Sequence, residues 1–302
     1  MINVHRLAKI LPKIQLDEIQ VLQTLEEITH RFEYVPPEEI QKRIAIDAEE
    51  VLFILSKLNK RGLIQRTKKR YLGYRLSQMG FDALALYELA QKDVILSIGQ
   101  PYGEGKEATV YRALDAMEKE VAVKFLRWGR SSFRSVRRLR TLKDEGTFSW
   151  MDLSKRAANR EFRALRKLQK VGAQVPHPIA VNRHVIVMSK ISGQLLLDIM
   201  DFKKPQNVFE RIIQQVKLAY EKAEIVHGDL SEYNIFVDEE DQIILFDWPQ
   251  WQPLTHPNAL WLLKRDITNV ATFFRRRFRL QYDVNEILET IIASSERKRK
   301  ND

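Results

Sequence analysis

The sequence predicts an α+β protein in two parts: a helical N-terminal module closed by two short strands, then a larger domain in which strands precede helices. Three observations predict it. Before Gly62, apolar residues recur at helical spacing in successive segments, and two short strand-like runs follow. A glycine turn at Gly103 and Gly105 enters β-type segments that continue to Phe125. From Ser154 to Lys170 the apolar period returns to that of a helix.

In the first part, Asp17–Thr29 places Ile19, Leu22, Leu25 and Ile28 on one helical stripe. Pro37–Ala45 reads as a short second helix. Asp47-Ala48-Glu49-Glu50 has the pattern of a capping box and opens a third helix through Leu58, which Gly62 stops. Leu63–Arg66 and Tyr71–Leu76 are strands around the basic turn Thr67-Lys68-Lys69-Arg70. That order is a winged helix-turn-helix over residues 1–80, with the third helix in the recognition position. Lys57, Asn59, Lys60, Arg61 and the wing are expected to meet phosphates. Glu49 and Glu50 argue against base reading in a major groove, so the expectation is backbone contact to structured RNA, with a protein-binding winged helix as the alternative. Phe81–Lys92 is a connecting helix.

In the second part, Tyr102-Gly103-Glu104-Gly105-Lys106-Glu107-Ala108-Thr109-Val110-Tyr111 reads as a tight glycine loop entering a strand. Lacking a Cβ, glycine lets the backbone approach a phosphate closely, and Lys106 and the Thr109 hydroxyl add charge and a donor. Glu120-Val121-Ala122-Val123-Lys124-Phe125 puts a lysine inside an apolar strand, where a cation has to be paired or put to use. Its expected partner is Glu161, on a helix over Ser154–Lys170 that carries Ala158, Phe162, Leu165 and Leu168 at helical spacing and ends at Gly172. Further on stand His227-Gly228-Asp229-Leu230-Ser231-Glu232-Tyr233-Asn234 and Ile244-Leu245-Phe246-Asp247-Trp248-Pro249. Asn234 follows Asp229 by five residues, and Asp247 follows Asn234 by thirteen. One acid to take the proton of an attacking hydroxyl, with an Asn and a second acid as hard oxygen donors for Mg²⁺, make a phosphoryl-transfer set. Each piece alone has a plainer reading: a turn, an edge-strand lysine, a solvated glutamate. Those readings leave the order glycine loop, Lys, Glu, Asp, Asn, Asp unexplained.

These segments resemble the RIO family of atypical protein kinases. Gly103–Tyr111 is similar to the family's phosphate loop, His227–Ile235 to its catalytic loop, and Phe246-Asp247-Trp248-Pro249-Gln250 to the metal loop of the RIO kinase 2 branch. Leu263–Val270 with Phe273 and Phe274 resembles the family's C-terminal region, and the winged helix marks the same branch. The resemblance implies a two-lobed kinase-like domain. A small antiparallel-sheet lobe with one helix would span 93–190 and hold the basic loop 127–150, and a mostly helical lobe would span 191–302. It implies ATP with Mg²⁺, or alternatively Mn²⁺. Asp229 would be the catalytic base, Asn234 and Asp247 the metal ligands, Lys124 the phosphate anchor and Glu161 its orienter. Gly103, Glu104, Gly105, Lys106, Thr109, Val110 and Ala122 would line the nucleotide site, with Met188, Ser189 and Ile191 at the segment linking the lobes. The implied role is a serine/threonine kinase or ATPase in small ribosomal subunit maturation. Its partners would be the pre-small-subunit particle, ribosomal RNA and ribosomal proteins, and the chain would be a monomer. Ala108 stands where the family carries Ser, and Ser189 where it more often carries Glu. No activation loop or Ala-Pro-Glu segment follows Asp247, an absence shared with the family. The short stretch after Phe278 resembles archaeal members.

Composition narrows the alternatives. The chain has 302 residues and no cysteine, which rules out disulfides and thiolate metal sites and suits a cytoplasmic protein. It has no apolar run of the about 18–20 residues that a membrane span needs, and Met1–Arg6 lacks a signal core. The net charge of +10 favours a polyanionic partner. Arg127, Arg130, Arg134, Arg137, Arg138, Arg140 and Lys143 share one stretch with Trp128 and Phe133, aromatics that can stack on unpaired bases. Ser131, Ser132 and Ser135 in it are candidate autophosphorylation sites. Arg275, Arg276, Arg277 and Arg279 form a second basic cluster, and Arg297–Lys300 a third. A nucleic-acid-binding regulator with an inactive kinase domain should have lost one of Lys124, Asp229, Asn234 or Asp247, and all four are present. A small-molecule phosphotransferase needs no winged helix and would present an acidic pocket to a cationic substrate.

Overall fold

The computed structural model describes residues 7, 10–127 and 150–299, with side chains as far as Ser295. The basic stretch 128–149, with Ser131, Ser132 and Ser135, and the side chains of Arg297–Lys300 lie outside the described residues. The chain forms two compact units. One comprises the described residues to Gln100 with Ala113–Lys119; the other comprises Pro101–Arg112 and those from Glu120 onward.

The first unit runs α1 (Leu16–Ile28), α2 (Pro37–Gln41), α3 (Ala48–Arg61), β1 (Ile64–Thr67), β2 (Gly73–Leu76) and α4 (Gln78–Gln91). Asp47 caps α3 by accepting the Glu50 N–H at 2.9 Å, and Gly62 ends it in the left-handed region at φ 79. α2 stops at Gln41, before the expected Ala45, where the Arg43 N–H bonds to the Ile40 carbonyl at 3.0 Å in a tighter turn. β1 and β2 pair antiparallel from Ile64↔Leu76 to Thr67↔Gly73, and Val35 adds a bridge to Tyr74. Leu22, Leu25, Leu55, Leu58 and Leu84 are fully buried between the helices. α4 lies so close to the wing that a Cβ on Gly80 would stand 2.2 Å from the Leu63 carbonyl oxygen.

One sequence expectation changes here. Lys57 and Arg61 do not stand ready for phosphates. Both reach back to Glu18 on α1, at 2.7 and 2.8 Å. Glu18 is wholly buried and also accepts the Gln15 N–H at 3.0 Å. Glu18 adjoins the apolar stripe that begins at Ile19, and a carboxylate buried there has to draw cations to itself. Lys60 and the wing residues Lys68, Lys69 and Arg70 remain exposed, whereas α3 presents Leu52 and Phe53 to solvent.

The second unit begins with a five-stranded sheet in the order β3 (Ser97–Glu104), β4 (Ala108–Leu114), β5 (Glu120–Leu126), β7 (Val185–Ser189), β6 (Pro178–Asn182); the outer ends of β3 and β4 belong to the first unit. β5 and β7 run antiparallel from Val121↔Ser189 to Phe125↔Val185. α5 (Trp150–Lys170) lies on β5, β6 and β7. The rest is mostly helical: α6 (Pro205–Glu221), α7 (Ala259–Phe278) and α8 (Val284–Arg299). Two small sheets join it. β8 (Gln194–Leu195), β10 (Ile235–Val237) and β11 (Ile243–Leu245) form one, and β9 (Ile225–Val226) with β12 (Gln252–Pro253) the other. One apolar core runs from Ala158 and Leu165 of α5 through Ile186 to Leu230, Ile267 and Phe274. This is the sheet-with-one-helix lobe and helical lobe that the family resemblance implies. Among the described residues no helix is long and apolar enough to cross a membrane.

The Glu18 pair can be tested. Burial pushes the Glu18 carboxyl up, but Lys57, the Gln15 amide and Arg61 together hold it below its ordinary value. A depressed folded pKa contributes stability above the ordinary carboxylate range, and that stability is lost as pH falls through the depressed value. Because Lys57 and Arg61 are 31% and 23% exposed, solvent screens part of the pair. Glu18→Gln should lower the unfolding free energy at pH 7 by about 1–2 kcal/mol in urea titrations, with the deficit shrinking in acid. An unchanged midpoint at neutral pH would refute this.

Candidate active site

The phosphate loop forms where β3 turns into β4, with the Gly105 N–H donating to the Ala108 carbonyl at 2.8 Å. A Cβ on Gly103 would meet only the Val110 side chain at 3.7 Å, and one on Gly105 the Ala108 carbonyl at 3.5 Å. These glycines therefore relieve no internal clash. They leave the turn's outer face bare. Glu104 and Lys106 are exposed, and Thr109 and Val110 half-buried.

Lys124 faces inward from β5, 6% exposed. Its Nζ lies 2.6 and 2.8 Å from the two oxygens of Glu161 and 2.6 Å from Asp247 Oδ1. One ammonium thus joins the sheet, the helix α5 and the loop after β11. Burial alone would pull the Lys124 pKa down, but Asp247 and Glu161 hold it above its ordinary value. Burial would raise Asp247, and the Lys124 charge holds it low instead. Glu161, the more deeply buried acid, is raised by burial despite Lys124, with Asp247 adding to the rise. Asp247 keeps 41% of its side chain exposed and sits at φ 65, a left-handed conformation that Asp tolerates better than most side chains.

The catalytic-loop segment follows β9 and is held by its backbone. Asp266 of α7, 1% exposed, accepts the Gly228 N–H at 2.7 Å and the Leu230 N–H at 3.0 Å. Asn269 donates to the Leu230 carbonyl at 3.0 Å, and Arg265 donates to that of Gly228. Gly228 has φ 78, and a Cβ there would stand 2.8 Å from the Gln250 carbonyl oxygen, so only glycine fits. Asp229 is left exposed, with the Gln250 amide donating to it at 3.3 Å. Partial burial raises its carboxyl against the pull of Arg265, with Asp247 and Glu107 adding to the rise. Asn234 is 8% exposed and gives its amide N–H to the Asp229 carbonyl at 2.7 Å, which directs Oδ1 the other way. His227 is held near pKa 4 by burial and is therefore neutral, its Nε2–H donating to the Phe246 carbonyl at 3.0 Å. Its ring packs 4.3 Å from that of Trp248. Among the described residues no group of three or more His, Cys, Asp and Glu converges as a metal site. What the chain offers a cation here is the oxygens of Asn234 and Asp247.

The segment linking the lobes continues from β7. Met188 is buried, and Ser189 donates its N–H to the His177 carbonyl at 2.9 Å and accepts the His177 N–H on its hydroxyl at 2.9 Å. Ile191 is half-buried just beyond, and Ala122 pairs with Met188 across β5 and β7.

Sequence reading did not assign roles to Asp266, Asn269, Gln250, Arg160 or Trp251. Arg160 precedes Glu161 on α5. Its guanidinium stacks 4.8 Å over the Trp251 ring and donates to the Trp251 carbonyl, while the indole N–H returns to the Arg160 carbonyl at 2.9 Å. A signal for Asp266 was present: Leu262, Asp266, Val270 and Phe274 follow one another at helical spacing, so an acid stands in a buried stripe. Arg160 and Trp251, ninety-one residues apart, left no such trace.

A two-lobed fold in which a buried Lys124 holds Glu161 and Asp247, beside a loop that carries an exposed Asp229 and Asn234, has the layout of a protein-kinase-type enzyme. The RIO domain family matches residues 109–287, and the family described as Rio2, N-terminal, matches residues 11–92. The RIO-type serine/threonine-protein kinase Rio2 of Methanocaldococcus jannaschii is 39% identical over 270 residues, which cover 86% of this chain and 98% of that one. The serine/threonine-protein kinase RIO2 of Caenorhabditis elegans is 36% identical over 266 residues, covering 87% of this chain and 50% of its own. The crystal structure of the Rio2 kinase–ADP/Mg²⁺–phosphoaspartate complex from Chaetomium thermophilum superposes with a TM-score of 0.81 at 32% identity, over 94% of this chain and 88% of that one. The chain belongs to the RIO kinase family, in its Rio2 branch, and is a serine/threonine-protein kinase.

Two predictions follow from the supports. Trp251→Ala should lower turnover roughly 10- to 100-fold by freeing α5 to carry Glu161 out of line. Trp251→Phe, which keeps a face for Arg160, should lower it less; equal rates for all three proteins would remove the role. Burial pushes the Asp266 carboxyl up to about 7, against the two backbone amides and Arg265. A raised folded pKa means the native state keeps a proton that the unfolded chain has lost. This contribution to stability is therefore present in acid and declines as pH rises from the ordinary value towards about 7. The stability difference between wild type and Asp266→Asn should change across that window, and a pH-independent difference would contradict it.

Proposed function

We propose that this chain transfers the γ-phosphate of ATP to a serine or threonine hydroxyl, with Asp229 as the base. The observation that carries this is Asp229 itself, an exposed carboxylate on a loop whose every bond to α7 runs through backbone. The acceptor hydroxyl gives its proton to Asp229, its oxygen bonds to the γ-phosphorus, and the bond to the β–γ bridging oxygen breaks to release ADP. Lys124, oriented by Glu161, holds the α- and β-phosphates. Gly103, Glu104, Gly105, Lys106 and Thr109 form the turn over the phosphates, its bare face letting amides approach. Val110, Ala122 and Met188 are apolar walls for the adenine, which the peptide groups between Ser189 and Ile191 would read. Asn234 and Asp247 supply the all-oxygen donors that Mg²⁺ prefers. When bound, Mg²⁺ neutralises charge on the phosphates; two protein ligands suffice because phosphate oxygens and waters complete its shell.

A second outcome for the phosphate is supported by a specific observation. No peptide platform follows Asp247, and β12 returns the chain to β9 almost at once. The Chaetomium thermophilum relative forms a complex with ADP, Mg²⁺ and phosphoaspartate. In that outcome a carboxylate oxygen of an active-site Asp bonds to the γ-phosphorus, ADP leaves, and water hydrolyses the acyl phosphate. The net reaction is ATP hydrolysis. We assign such turnover to timing on a pre-small-subunit ribosomal particle, with ribosomal RNA and ribosomal proteins as partners. The net charge of +10 and the exposed Lys60, Lys68, Lys69 and Arg70 support a polyanionic partner.

Asp229→Ala and Asp247→Ala should each lower Mg²⁺-dependent ATP turnover at least 100-fold, and added small-subunit ribosomal RNA should alter the wild-type rate. Normal hydrolysis by Asp247→Ala would overturn the assignment. A hydroxylamine-labile phosphate on quenched enzyme would mark the acyl-phosphate route.

A further inference from the structure

We propose that the cleft beside the catalytic loop, between Ser231–Tyr233 and the end of α7, seats the acceptor polypeptide and selects acidic segments. The inference rests on Asp229 as the base and adds the class of substrate. The cleft holds about 670 Å³ and is lined on one side by the loop between Asp229 and Asn234 and on the other by Thr272, Phe273, Arg276 and Arg277.

Three features point to a polypeptide. The first is place. Ser231, which lines the cleft, is two residues from Asp229, so their Cα atoms are at most about 7 Å apart. The second is lining. Tyr233 is 58% exposed and Phe273 half-buried, giving an aromatic wall, while the Ser231 and Thr272 hydroxyls can bond to peptide groups. The third is charge. Arg275, Arg276, Arg277 and Arg279 crowd the end of α7, where the helix dipole favours cations. The dipole explains why arginines stand there, but not why two of them line a cleft. Arg277 donates to the Ile199 carbonyl at 3.3 Å and to Met200 Sδ at 2.6 Å, both neutral. Neither Arg276 nor Arg277 pairs with a carboxylate among the described residues, and of the lining residues only Glu232 is acidic. An incoming Asp or Glu would therefore meet unspent guanidinium donors. The kinase chemistry favours a protein over RNA as the occupant, since the hydroxyl to be phosphorylated belongs to serine or threonine.

The test uses the full chain, labelled ATP and two synthetic peptides of equal length, with one serine flanked by glutamates or by lysines. Wild type should favour the glutamate peptide about tenfold in kcat/KM. R276E/R277E should lose that preference by about tenfold, through KM, with peptide-independent ATP hydrolysis unchanged. A wild type that prefers the lysine peptide or phosphorylates neither would overturn the proposal, as would a variant that keeps the wild-type preference. A variant that loses binding of a structured RNA oligonucleotide while keeping the glutamate preference would assign the cleft to RNA instead. Asp229→Ala, run beside them, separates the two readings. Normal peptide phosphorylation by that variant would sink the base assignment and leave the charge preference standing.

Discussion

The second unit depends on one ammonium shared by two carboxylates. Lys124 comes from the sheet, Glu161 from α5 and Asp247 from the loop after β11, and the ammonium draws all three elements to one point. A buried cation without partners would cost several kcal/mol, so the sheet can bury Lys124 only if the acids arrive. The two acids are not equivalent. Glu161 is 2% exposed and binds through both oxygens, while Asp247 is 41% exposed and binds through one. The first acid fixes the lysine; the second keeps an oxygen for other partners.

The catalytic loop is built by a different rule. Asp266 and Asn269 grip peptide groups, and Gly228 gives the loop the space to pass Gln250. The Asp229 side chain is then free for chemistry, on a frame that does not rely on it, while the Asn234 amide braces the loop through the Asp229 carbonyl. His227 closes the frame from the other side, bonding to Phe246 immediately before Asp247. The base and the second acid therefore hang from supports that touch each other.

Much of this was legible in the sequence. The α3 cap and stop, the lysine in its apolar strand, its glutamate partner and the Asp–Asn–Asp order all came from local rules: spacing, caps, and the cost of burying charge. The illegible parts share a cause. Periodicity tells which face of a helix is buried, but not what a polar residue on that face will meet. Glu18 could be placed on α1, yet its capture of Lys57 and Arg61 depends on how α1 crosses α3. Asp266 could be placed on α7, yet its partners are backbone groups of another segment, and backbone groups carry no residue-type signal. Arg160 and Trp251 carry no sequence signal of one another until the fold stacks them.

That last contact bears on how far the small lobe can rearrange. The helix α5 is tied beside its glutamate by a stacked cation and two reciprocal hydrogen bonds to Trp251. Moving α5 outward would therefore cost the stack and both hydrogen bonds together, so the position of Glu161 is set by contacts within the second unit.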